Sequence, residues 1–144
     1  MCCFNTTNLS KNKKMIQARV IIEIMGSPKE HVEKAMETVV DKFKKEDNVK
    51  VIKEDISKIA EVKQFWSTFV EFEIEIENIA RLFDICFDYM PSSIEILEPE
   101  KVDLESEYTT DLLNDLLAKL HRYDMLVKNL NAQNFVLKKK LNIK

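Results

Sequence analysis

One glycine and three prolines serve all 144 residues, which leaves little backbone freedom for tight loops around a ligand. Phosphate-binding loops and dinucleotide folds need glycine where the main chain closes on phosphate, so both designs are argued against. Cysteine is scarce too: Cys2, Cys3 and Cys86 make no disulfide framework, and the adjacent pair lacks zinc-ligand spacing. That usage fits a reducing, cytoplasmic setting. No apolar run reaches the roughly 18 residues of a membrane span, and "MCCFNTTNLSKNKK" has no apolar signal-peptide core. No membrane partner is expected. Histidine is limited to His31 and His121, of which only His121 has an acidic neighbour at helical spacing, Asp124. With no nucleophile or third ligand in sequence, that pair is expected to be surface decoration. Acyl-transfer triads, phosphate loops and zinc ribbons are missing, so no enzyme, cofactor or metal is expected.

What the chain has in abundance is apolar residues, 45%, alongside 33% charged ones. That is enough for one real core with long solvated faces. The net charge of −3 hides a polarity along the chain. Residues 1–19 carry +4, residues 119–144 carry +6, and the body between them, with 11 basic and 24 acidic residues, carries −13. An acidic body repels nucleic acid. The basic end, with Lys138, Lys139 and Lys140, suits a solvated helix terminus, and offers nucleic acid only a weak, salt-sensitive attraction.

Residues 1–14 are polar and read as a disordered tail. Met15 stands just before the first strand, so the tail is expected to be an upstream extension from a different start codon. "QARVIIEIM", residues 17–25, reads as a buried strand. "GSPKE" follows as a turn and helix start, with Ser27 as N-cap, Pro28 at the first helical position and Glu30 completing a capping box. Val32, Ala35, Met36, Val39, Val40 and Phe43 then recur at helical spacing, ending near Glu46. A weaker strand spans 49–56, and residues 57–64 read as a polar connection.

Residues 65–76, "FWSTFVEFEIEI", alternate strictly. Trp66, Thr68, Val70, Phe72, Ile74 and Ile76 share one face; Glu71, Glu73 and Glu75 share the other, which marks a sheet with one wet side. Those glutamates, with Glu95 near them, read as solvated surface before they read as a cation site. A second helix has Ile79, Leu82, Phe83, Cys86, Phe87 and Met90 on its stripe and stops at Pro91. A strand over 93–99 and an acidic linker over 100–108 complete the body. The order β-α-β-β-α-β predicts an α+β, ferredoxin-like domain over 15–99 with strand order 4-1-3-2.

The last segment, 109–144, predicts a long helix. With Leu113 at heptad position a, that series reads Leu113, Leu120, Val127, Asn134, Leu141, and the d series reads Leu116, Tyr123, Leu130, Leu137. Eight of these nine are apolar or aromatic. Such a seam calls for a partner helix, and a second copy is the simplest: a homodimeric coiled coil, with Asn134 fixing register at a cost in stability. Fold-back onto the chain's own sheet and pairing with another protein's helix are the alternatives.

The stretch "VIIEIMGSPKEHVEKAMETVV" resembles the opening of ACT-type regulatory domains. That resemblance implies small-effector binding at Gly26, Ser27 and Pro28 in a dimer. "FDYMPSSIEILEPE" is similar to small uncharacterised archaeal proteins of this architecture, which implies no activity. Three functions are therefore carried forward. First comes a non-enzymatic, homodimerising adaptor acting through contacts with another protein. An ACT-like sensor is second, and an accessory factor of a nucleic-acid-binding complex third.

Overall fold

The computed structural model describes residues 14–143; the tail 1–13, with Cys2 and Cys3, and Lys144 lie outside the described residues. Among the described residues, eight elements run in order: β1 (Ile16–Gly26), α1 (Lys29–Lys44), β2 (Val49–Ile56), β3 (Ala60–Val62), β4 (Phe65–Ile76), α2 (Ile79–Tyr89), β5 (Ser93–Glu98) and α3 (Ser106–Lys140). They divide into two compact units, one ending at Val102 and the other starting at Asp103. The chain is α+β, with an antiparallel sheet and three helices among the described residues. No described helix is long and apolar enough to cross a membrane.

The sheet runs β2-β4-β1-β5, with β3 also paired to β4. β1 and β4 form its spine, in register from Ile16 opposite Ile76 to Gly26 opposite Trp66. β2 lies along the far side of β4 only as far as Val70. The first residues of β4 would leave main-chain donors and acceptors unmatched there. β3 supplies the partner: Ala60, Glu61 and Val62 face Ser67, Trp66 and Phe65. The expected polar connection over 57–64 thus contains a short strand, turned back by Lys63 in the left-handed region at φ 58°. Three residues are too few to show a period of two, which is why pattern alone missed it.

The alternating residues of β1 and β4 build the core. Ala18, Val20, Val70, Phe72, Ile74 and Ile76 are fully buried. Val32, Met36, Val40 and Phe43 of α1 and Ile79, Leu82 and Ile85 of α2 supply the covering layer. Phe43 stacks flat on Phe72 with ring centres 4.2 Å apart, and Tyr89 meets Phe43 edge-on at 5.0 Å.

Two helix ends differ from expectation. Pro28 is extended at ψ 175° and is itself the N-cap of α1, with no side-chain cap. The helix therefore starts at Lys29, Glu30 falls at the second helical position, and the capping box does not form. On α2, Ile85 is buried and Met90 is not: Met90 is the C-cap, left-handed at φ 46° and 73% exposed. The turn before Pro91 carries its side chain off the stripe. Met90→Gly should raise stability by about 1 kcal/mol, because glycine adopts this conformation without a Cβ penalty. Urea midpoints would register the gain; a loss would show that the Met90 side chain packs after all.

The long helix begins at Ser106, inside the stretch expected as linker, and its last turn closes at Lys140 with Leu141 as C-cap.

Candidate functional site

The seam on α3 is the first candidate. Leu113, Leu120, Tyr123, Val127, Leu130, Leu137 and Leu141 are between 44% and 66% exposed, Asn134 is exposed, and only Leu116 is half-buried. Leu112, just off the seam, is the one buried residue of the helix. Within a single chain the seam residues are solvated. Each leucine buried there would contribute about 1.5–3 kcal/mol, so this is where the chain has most to gain from association.

The second candidate is a groove of about 600 Å³ beside α1. Glu33, Glu37 and Asp41 stand on one wall at helical i, i+4, i+8 spacing, and Glu54 and Lys44 also line it. Met36, Val40, Ile56 and Ile59 give it an apolar lining. Glu33 pairs weakly with Lys29 at 3.9 Å, and Lys44 is joined to Glu54 at 2.5 Å. Glu37 and Asp41 have no ion-pair partner among the described residues. At the inner end, Thr68, 4% exposed, donates to the Ser57 carbonyl at 3.2 Å, and the Ser57 hydroxyl accepts from the Phe69 amide at 2.9 Å. Sequence periodicity did not reveal this groove, because its walls come from elements that share no pattern. The row of acids on α1 was the one visible sign.

On the sheet's other face Arg19 gathers the carboxylates. Its Nη1 donates to Glu95 at 2.8 Å, and its Nη2 lies 3.5 Å from Glu73. Its Nε makes no hydrogen bond, resting as an ion contact 3.2 Å from Glu71. Desolvation works against the guanidinium's charge, but Glu71, Glu73 and Glu95 outweigh it and raise its pKa. Glu71 and Glu73 are therefore committed to a cation the protein already owns.

A tighter polar knot ties the turn after α1 to α2. Tyr89 donates its hydroxyl to Glu46 Oε1 at 2.6 Å, Arg81 Nη2 donates to Oε2 at 2.5 Å, and Arg81 Nε reaches the Asp47 carbonyl at 3.0 Å. Asn78 caps α2 by accepting from the Arg81 amide at 3.0 Å. The Tyr89 hydrogen bond leads in holding the Glu46 carboxyl below its usual 4.5; burial opposes it, and Arg81 and Lys42 add to it. Burial, then Glu46, pushes the Tyr89 phenol up. Glu46 thus stabilises the fold above pH 4.5, and that contribution disappears as pH falls through its lowered value. Glu46→Gln should lower stability at pH 7 and flatten the loss between pH 7 and pH 3. Parallel urea titrations at both pH values would show it; an unchanged slope would remove Glu46 from the acid limb.

The remaining sequence candidates are dispersed. His31 and His121 are exposed. Asp124 pairs with Lys128 at 2.6 Å, and no His121–Asp124 pair forms. Gly26 ends β1 opposite Trp66, and Ser27 and Pro28 are exposed. None of the three lines the groove. A Cβ on Gly26 would meet Val32 Cγ2 at an ordinary 3.5 Å, so no close approach requires glycine there. Lys138, Lys139 and Lys140 are exposed in the last turn of α3.

Among known protein families, the model of the MJ0538 family fits residues 17–143, in keeping with the similarity to small archaeal proteins. No curated protein and no solved structure matches the chain.

Proposed function

The chain belongs to the MJ0538 family, and we propose that it serves as a non-enzymatic adaptor, a ferredoxin-like domain paired by a parallel coiled coil through α3. The strand order β2-β4-β1-β5, with β3 set aside, supports the ferredoxin-like description, since it reads 4-1-3-2 from the other edge. The observation that carries the pairing is the solvated seam. Eight apolar or aromatic residues repeat over four heptads, and seven of them are exposed in the single chain. Isolated helices are marginal in water, and a 35-residue helix with this edge gains most from an identical mate. Asn134 favours the parallel, two-stranded form, because only there do the two amides meet and satisfy each other inside the seam. The dimer would hold two acidic domains at a set spacing for a further protein partner.

Light scattering of the full chain should return at least twice 16.9 kDa. Asn134→Leu should raise the melting temperature while mixing two-stranded with larger assemblies. A one-chain mass for the native protein at about 100 µM, where even a dimer of about 10 µM Kd forms, would defeat the proposal.

A further inference from the structure

Pairing through the seam leaves one part of α3 unexplained. In the register that places Leu113 at a, positions b and c stay polar through Asn114, Asp115, His121, Arg122, Lys128 and Asn129. At the tip they turn apolar: Phe135 at b and Val136 at c are 68% and 48% exposed, and Ile143, past the helix end, is 58% exposed. A partner helix in the seam cannot cover these side chains, because b and c face away from it. Lys138, Lys139 and Lys140 fill e, f and g beside them. The tip is thus both apolar and basic: Phe135, Val136 and Lys139 lie on the outer face that the coiled coil leaves open, and Lys138 and Lys140 flank the seam.

The groove on α1 has the complementary chemistry. Its walls carry Glu33, Glu37, Asp41 and Glu54 against one Lys44, and its lining is apolar, with Ile56 still 47% exposed. Glu37 and Asp41 have no cation of their own among the described residues. The run from Glu33 to Lys44 spans about 17 Å of helix, and the helical part of the tip, Phe135 to Lys140, about 8 Å, so the tip is short enough to lie along that wall. Laying an amphipathic helix in an apolar groove with charged walls is a common mode of recognition.

We propose that the groove between α1 and β2 receives the C-terminal tip of α3, Phe135–Ile143, from a second copy of this chain. This contact is heterologous: groove and tip are different surfaces, so one copy keeps its groove free and the other its tip, and association continues beyond the pair. Acidic walls steer the lysines in and Phe135 and Val136 leave water, so the contact is weakened by salt and lost with either set of residues.

Three full-length proteins test it: the native chain, a groove variant Glu37→Lys/Asp41→Lys, and a tip variant Phe135→Glu/Lys139→Glu/Lys140→Glu. All the substituted side chains are exposed, and circular dichroism checks that each variant folds. Weight-average mass is measured by light scattering from about 10 µM to about 1 mM at low salt. The native mass should at least double over that range and fall back in about 1 M salt, where screening shortens to about 3 Å. Each variant alone should stay at its low-concentration plateau. An equimolar mixture should recover growth, since one variant contributes intact tips and the other intact grooves. A native mass that never leaves its plateau overturns the proposal, as does growth unchanged in both variants. The plateau itself reports on the seam separately: two chains if the coiled coil holds, one if it does not. Native growth from a one-chain plateau, abolished in both variants, would support the groove contact and remove the coiled coil.

Discussion

Replacing Leu120 and Leu130 together with aspartate is expected to leave the sheet domain folded and the chain single. Both side chains are already solvated in the isolated chain, 49% and 62% exposed, so no core contact is lost. In the paired state the same positions lie inside the seam, where an unpaired charge is costly and two copies bring four of them. Each lost leucine contact removes a further 2–5 kcal/mol or so. A combined penalty above about 4 kcal/mol weakens association at least about 1000-fold. Sedimentation velocity should therefore give one-chain mass at concentrations where the native protein gives two. Circular dichroism should show reduced helix, because in the proposed pair α3 would draw much of its order from its mate. A variant that still sediments as a pair would place the interface elsewhere.

Phe72→Ala should be the most damaging single change in the body of the protein. Phe72 is fully buried at the middle of β4, between β1 and β2, and lies flat on the equally buried Phe43. Truncation removes a whole ring from a close-packed layer and leaves a cavity that two neighbouring strands and a helix cannot collapse. Such changes cost about 3–5 kcal/mol, a large share of the roughly 5–15 kcal/mol that holds a domain of this size together. The urea midpoint should drop accordingly, whereas Phe72→Leu, which keeps most of the volume, should lose less than half as much. Equal losses for both would mean that ring stacking on Phe43, not volume, holds the layer.

Several features were open to direct reading from the chain. The strict alternation of Val70, Phe72, Ile74 and Ile76 identified both a strand and its buried face. The 3–4 spacing of Val32, Met36, Val40 and Phe43 did the same for α1. The apolar spacing of residues 109–144 identified the long helix, which the structure has over Ser106–Lys140. Other features were not. The capping box failed because Pro28 is extended, a backbone choice that Ser27 and Glu30 do not encode. That Arg19 of β1 gathers Glu71, Glu73 and Glu95 depends on strand pairing. The Glu46–Arg81–Tyr89 knot joins residues 35 and 43 positions apart, and no local pattern links them.

The sequence by itself determined every described element but β3, the buried faces of β4 and α1, and the apolar edge of the long helix. Each of these is a period, and a period is written within one segment by the geometry of its own backbone. The tertiary structure alone decided β3, the carboxylates around Arg19, the knot around Glu46 and the acidic groove. These are meetings between segments far apart in the chain. Where they occur depends on strand register and on how helices settle on a sheet, and both emerge only when the whole core packs at once.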